Sequence, residues 1–263
     1  MALTSEQLRR MLELCQERWP DVRHTFGVLA YWAVQLSYGD HEARVWPDGW
    51  GVVSDGFLEF DGPDELVPEI LEWAKPEHVL ALPEDAPLLA GFRHDEDAPW
   101  FRVNRRSLDE VDEPRVPDGY RLTTMAEYDD VSSRAAAQRA AFGGSRLTDE
   151  VFAQLQQAWP YRADLDCVCV APDGSVASYA LAWLDERNRV GELEPVGTLP
   201  EHRRRGLARA VNLFALQRLR AAGAETGLVG SRGDAAYPIP SRLYESIGFR
   251  EIRRFVRFSR SRA

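Results

Sequence analysis

Between Ser5 and Trp19, the apolar residues Leu8, Met11, Leu12 and Leu14 recur at helical spacing among Glu and Arg, behind a Thr4/Ser5 start and ahead of Pro20. This pattern predicts an amphipathic helix. The pattern then turns to strand spacing, predicting strands at Gly27 to Ser37, Glu42 to Trp46, Trp50 to Val53 and Phe57 to Phe60, with turns at Pro47-Asp48-Gly49 and Asp55-Gly56. A helix over Pro63 to Lys75 turns Leu66, Val67, Ile70, Leu71 and Trp73 inward. A strand at Val79 to Leu82, a short helix from Asp85 to Ala90 and a strand at Trp100 to Val103 follow.

The stretch from Ser107 to Asp118 is charged, holds two prolines and lacks a long apolar run, so it reads as a linker. Beyond it the pattern gives a strand at Tyr120 to Thr123 and helices at Ala126 to Phe142 and Thr148 to Gln157. A hairpin of Leu165 to Ala171 with Val176 to Leu184 comes next, and then a strand at Val190 to Thr198. The helix Gly206 to Ala222, the strand Thr226 to Gly230, the helix Ser241 to Ile247 and the strand Phe249 to Phe258 complete the chain. Two domains are expected, over residues 1–112 and 113–263.

Charge sharpens this division. Residues 1–112 hold 10 Lys+Arg against 23 Asp+Glu, whereas residues 113–263 hold 22 against 19. The acidic front half argues against nucleic-acid binding by the whole chain, and the back half suits an anionic ligand. No apolar run is long enough to span a membrane, and Met1 to Arg10 lacks the apolar core of a signal peptide, so a cytoplasmic protein is expected. Cys15, Cys167 and Cys169 lack metal or redox spacing and read as core residues. The five histidines are scattered, and no metal site is expected.

The chemistry concentrates in Glu192 to Leu213. There an apolar strand ends at Gly197-Thr198-Leu199-Pro200, Arg203, Arg204, Arg205 and Gly206 follow, and a helix pattern begins immediately. Backbone N–H groups at a helix start lack intrahelical partners and lie at the positive end of the dipole, so this junction is an anion cradle. Pro195 interrupts what should be a central strand, as a bulge does. Taken alone, Arg203 to Arg205 also fit a solvated basic helix start or a nucleic-acid patch.

Residues 118–258 resemble the GNAT superfamily of N-acetyltransferases in the order and spacing of their elements. The resemblance rests on Arg203-x-x-Gly206-x-Ala208, which matches that family's (Gln/Arg)-x-x-Gly-x-(Gly/Ala) acetyl-CoA signature, and on Leu243-Tyr244-Glu245-Ser246-Ile247-Gly248-Phe249, which matches its L-Y-x-x-x-G-F ending. It implies a mixed α+β sheet fold and acetyl-CoA as co-substrate. The phosphates would lie on Arg203, Arg204, Arg205, Gly206, Leu207, Ala208 and Arg209, and pantetheine would run along Val196, Gly197 and Thr198. By the same resemblance Glu192 is the base that deprotonates an amine, Glu194 its alternate, and Tyr244 the acid that returns a proton to sulfur. The implied reaction is acetyl transfer to a primary amine of a small molecule or peptide by direct attack in a ternary complex.

A non-catalytic acyl-CoA sensor fits the same motifs, and a homodimer is compatible with them. Where family members often carry Asn and Ala near the end, this chain has Tyr237 and Pro240, so the loop Ser231 to Pro240 is rebuilt. The front half loosely mirrors the back half, with Leu89-Ala90-Gly91-Phe92 echoing the ending, yet Asp61-Gly62-Pro63-Asp64-Glu65 stands where a cradle would need positive charge. It is therefore expected to be a degenerate GNAT-like half that shapes the acceptor pocket, or an unrelated α+β substrate-binding domain.

Overall fold

The computed structural model describes residues 3–35, 41–143, 145 and 147–261. Cα packing groups the chain into two units: residues 1–104 with 230–242 and 251–263, and residues 105–229 with 243–250. The sequence pattern divides the chain once, near residue 112, whereas packing returns the C-terminal strand to the first unit.

The first unit opens with helix α1 (Ser5–Arg18), held by a capping box in which Thr4 Oγ1 accepts the Gln7 N–H at 3.1 Å and Gln7 Oε1 accepts the Thr4 N–H at 2.9 Å. Helix α2 (Phe26–Gln35) corrects the strand expected at Gly27 to Ser37, of which residues 36 and 37 lie outside the described residues. Phe26, Leu29, Ala30 and Tyr31 are all buried, and a short apolar run buried on every side has no periodicity to tell strand from helix. Packing against α1 decides for the helix.

Strands β1 (His41–Val45), β2 (Trp50–Ser54) and β3 (Phe57–Asp61) form an antiparallel meander. Helix α3 (Val67–Ala74), entered through a 3-10 turn at Asp64–Leu66, crosses to β4 (His78–Ala81), which pairs parallel with β3. A 3-10 turn at Pro83–Leu88 replaces the helix expected at Asp85 to Ala90, because Pro87 cannot donate into an α-helical ladder. Strand β5 (Phe92–His94) has no counterpart in the sequence reading, being only three residues long, and β6 (Phe101–Ser107) runs on past the expected Val103. Leu58, Phe60, Val67, Ile70, Val79, Val256 and Phe258 form the core.

In the second unit, β7 (Arg121–Thr124), β8 (Asp166–Val170), β9 (Val176–Asp185) and β10 (Val190–Thr198) pair antiparallel in sequence order. Helix α6 (Leu207–Ala221) then crosses to β11 (Thr226–Arg232), which runs parallel to β10, as a crossover helix requires. One sheet face carries Ala180, Ala182 and Leu193 into a core with Val211, Leu213 and Leu216 of α6. The other face is covered by α4 (Val131–Phe142) and α5 (Asp149–Gln157). Helix α4 starts at Val131, five residues after the expected Ala126, because Asp130 Oδ1 caps the Ser133 N–H at 2.8 Å. Helix α7 (Ile239–Ser246) and strand β12 (Arg250–Arg260) end the chain, and β12 pairs with β4 and β5 within the first unit.

All three cysteines are buried, and none forms a disulfide. Among the described residues no helix is long and apolar enough to cross a membrane, and no group of three or more His, Cys, Asp or Glu could hold a metal ion.

Candidate active site

The site is built where β10 parts from β11. The parallel ladder covers only Val190–Leu193 of β10, paired with Thr226–Val229. On the other side, Leu193 faces Ala182 and Val196 faces Ala180, so Glu194 and Pro195 together oppose Leu181 in a one-residue bulge. The proline that broke the apolar pattern therefore sits in the bulge. Because of the extra residue, Glu192 opposite Trp183 and Gly197 opposite Tyr179 share one sheet face despite an odd separation.

Past the bulge, the Leu199 N–H donates to the Ala177 carbonyl at 3.0 Å. The alternation of an antiparallel ladder then turns the backbone groups of Gly197 toward β9 and those of Val196 and Thr198 away from it. Of the three residues nominated for pantetheine, Val196 and Thr198 thus present the outward polar groups. Gly197 is committed to β9, and its carbonyl also accepts the Ser178 hydroxyl at 2.8 Å.

The loop after β10 has the geometry of an anion nest. Arg204 and Gly206 adopt positive φ, 61° and 79°, which turns successive N–H groups into a concavity at the start of α6. A Cβ built on Gly206 meets nothing within 4 Å, so the space above it is open. Arg203 is spent on the scaffold, its Nε on the Thr198 carbonyl at 3.1 Å and its Nη2 on the Ala141 carbonyl at 3.3 Å. Arg204 and Arg205 are exposed, and Arg209 pairs with Asp112 at 2.8 Å. Leu207 is buried and anchors the first turn of the helix, while Ala208 keeps it narrow.

This junction fits a phosphate-bearing ligand through open space, left-handed backbone and two exposed arginines. Gly206→Val would hold φ near 79° only at a backbone cost of about 1–2 kcal/mol. Its expected effect is about tenfold weaker binding of a phosphate-bearing ligand, with adenosine 3′,5′-bisphosphate as the probe, and an unchanged circular dichroism spectrum, read by titration calorimetry.

Glu192 is buried, at 2% exposure, while Glu194 is half-buried. Desolvation, with the charge of Glu192 added, pushes the Glu194 carboxyl up to about 8. The Glu194 carbonyl accepts the Trp183 indole N–H at 2.6 Å, which ties the bulge to β9. Tyr244 is 6% exposed and lies edge-on to Phe249, with ring centroids 5.9 Å apart. It belongs to the core cluster of Leu193, against which Val196 packs. The structure thus places Val196 and Tyr244 in one core cluster on the α6 side of the sheet, and Glu192 on the opposite face within charge range of Glu194.

Beneath Gly197 lies a polar group that the sequence reading missed. The fully buried Arg134 stands over the Tyr179 ring at 3.8 Å, is backed by Phe152 at 5.1 Å, and donates from Nε to Asp166 at 3.0 Å. Burial outweighs Arg134 and raises the Asp166 carboxyl above its usual range, and the Tyr161 hydroxyl donates to it at 3.3 Å. Lone charges on apolar faces, Arg134 in an Ala-rich helix and Asp166 heading Cys-Val-Cys-Val, were the available signal.

The first unit repeats the splay but not the nest. Strand β3 pairs with β4 only at Phe57–His78 and Leu58–Val79, and the next residue, Glu59, has its carboxyl pushed up to about 8 by desolvation. Where the second unit opens its nest, the first fills the loop with arginine. Arg23 Nη1 donates to the Gly62 carbonyl at 2.6 Å, and its Nη2 meets Asp64 at 3.0 Å and Asp85 at 2.8 Å. A phosphate finds neither space nor positive charge to spare there.

Comparison with known proteins agrees with this reading. Residues 174–258 match the FR47-like protein family. The chain is 29% identical over 178 residues to a mycothiol acetyltransferase of Thermobispora bispora, covering 64% of this chain and 59% of that protein. It is 29% identical over 156 residues to one of Streptomyces griseus, covering 57% and 50%. The chain thus spans about half the length of these relatives. The structure is similar to a GCN5-related N-acetyltransferase of Sphaerobacter thermophilus (TM-score 0.66, 19% identity, covering 98% of this chain and 93% of that one). A tandem GNAT protein from the clavulanic acid biosynthesis pathway covers 100% of this chain and is itself covered to 97% (TM-score 0.61, 17% identity). The chain therefore has the GNAT acetyltransferase fold, and the stretch that carries its bulge, nest and α6 is the part that matches the FR47-like family.

Proposed function

We propose that the chain is an acetyl-CoA-dependent N-acetyltransferase that acylates a primary amine of a small molecule or peptide in a cytoplasmic setting, by direct attack in a ternary complex. The observation that carries this reading is the parting of β10 from β11 at Leu193, immediately upstream of the open nest at Arg204 and Gly206. Acetyl-CoA, when bound, supplies an activated acyl thioester. Within Arg203 to Arg209, the backbone N–H groups of the nest and the side chains of Arg204 and Arg205 hold its phosphates, and the outward groups of Val196 and Thr198 align its pantetheine, with Gly197 fixing their spacing. Glu192, with Glu194 as alternate, takes the proton from the attacking ammonium. Tyr244 gives one from its phenol hydroxyl to the departing thiolate. Holding both substrates together supplies most of the rate.

The first unit is a degenerate GNAT-like half, as its repeated splay and arginine-filled loop support. One acetyl-CoA site per chain follows. The relatives' name puts a mycothiol-type acceptor first among the amines to try.

The test is release of CoA thiol against a panel of amines. Turnover with at least one amine is expected, together with a fall of about tenfold or more in kcat for Tyr244→Phe at unchanged acetyl-CoA affinity. Tight acetyl-CoA binding without turnover on any amine would instead make the chain an acyl-CoA sensor. Wild-type kcat in Tyr244→Phe would remove the acid assignment.

A further inference from the structure

Gly197 is glycine because of what lies under it. A Cβ at this position would sit 2.6 Å from Cζ and Oη of Tyr179, closer than any real contact. The pair is an aromatic ring packed on a cross-strand glycine, an arrangement that fixes the glycine's backbone height over the sheet. The ring itself cannot retreat. Tyr179 is fully buried, and the Arg134 guanidinium lies 3.8 Å from its centroid. Arg134 in turn is pinned by Asp166 at 3.0 Å and by the Phe152 ring at 5.1 Å. The neighbouring Ser178 closes the frame from the same strand, its hydroxyl 2.8 Å from the Gly197 carbonyl and 2.8 Å from Thr198 Oγ1.

From this stack we infer that Tyr179 and Arg134 are positioning residues for acyl transfer: they set the height of the Gly197 peptide, and with it the two outward-facing residues, Val196 and Thr198, that flank it. The inference rests on the proposed acetyl-CoA reading of β10. The contacts of the stack converge on Gly197 and Thr198, so the stack acts on the pantetheine end of the cofactor. Arg134 does this as a planar cation whose Cζ lies 3.8 Å from the ring centroid while its Nε holds Asp166, and a lysine ammonium supplies the charge without the planar fork.

The experiment compares two ligands on one protein. Acetyl-CoA engages both ends of the site, whereas adenosine 3′,5′-bisphosphate carries phosphate and adenosine but no pantetheine. Arg134→Lys is expected to weaken acetyl-CoA about tenfold while adenosine 3′,5′-bisphosphate binds within twofold of wild type. Gly197→Ala is expected to show the same split, and so is Tyr179→Leu, which removes the ring that sets the height of the Gly197 peptide. Equal loss of both ligands, or wild-type acetyl-CoA affinity in Arg134→Lys and Gly197→Ala, would overturn the positioning role while leaving the cofactor reading intact. Failure of the wild-type protein to bind either ligand would overturn the cofactor reading and the inference with it.

Discussion

Arg134→Leu is expected to lower the unfolding free energy by about 3–5 kcal/mol at neutral pH, because it leaves the buried Asp166 carboxylate without its cation. Asp166 is fully buried, and its carboxyl already lies above the usual range with Arg134 present. Without Arg134 it rises further, so the folded variant holds a proton over a wider pH range than the unfolded chain does. Unfolding then releases a proton, and stability falls as pH rises from the unfolded carboxyl value toward the folded one. The loss is therefore smallest near pH 4 and grows toward pH 8. Urea denaturation across that range measures it: a steeper decline in midpoint than wild type is expected, with recovery of part of the loss in Arg134→Leu/Asp166→Asn. A variant within about 1 kcal/mol of wild type at pH 8 would show that the pair carries no net stability.

The second large effect falls on turnover. Glu192→Gln is expected to lower kcat by about 10²- to 10⁴-fold, the usual worth of a positioned base, with the acetyl-CoA KM little changed. Glu194→Gln should cost less but reshape the pH profile. The Glu194 carboxyl, pushed up to about 8 by burial and by Glu192, gains its charge as pH rises through that value. A limb in kcat/KM near pH 8 is therefore expected in wild type and is lost in Glu194→Gln. If Glu194→Gln proves the more damaging substitution, the base assignment passes to it. The two roles are separable because the bulge sets the carboxylates apart in burial, one 2% exposed and the other half-buried.

The second unit was legible in the sequence because its signals are local. A proline in an apolar strand marks a bulge, and Arg203-x-x-Gly206 before a helix pattern marks a nest, since each device is made by neighbouring residues. Helix α2 was not legible: Phe26 to Tyr31 is apolar on every side, and only packing against α1 distinguishes it from a strand. The boundary of the first unit was obscured for a related reason. Phe249 to Phe258 reads as one strand, and nothing in its alternation says which sheet it will join. Nor could the outward turn of Val196 and Thr198 be read, since it depends on the ladder register that the bulge resets. Arg134, Tyr179 and Asp166 are far apart in sequence, and the reason for a glycine at 197 appears only when the ring opposite it is known.

Strand β12 also bears on how such a chain is inherited and dissected. Its segment Val256 to Ser259 completes the first unit by pairing with β4, although the acetyl-transfer residues proposed for the second unit are encoded between the two pieces. The second unit is thus spliced into the first and is not appended to it. A fragment beginning at residue 113 would carry an orphaned strand, and a fragment ending at residue 112 would leave the β4 edge bare. Recombination at the linker would exchange neither half intact.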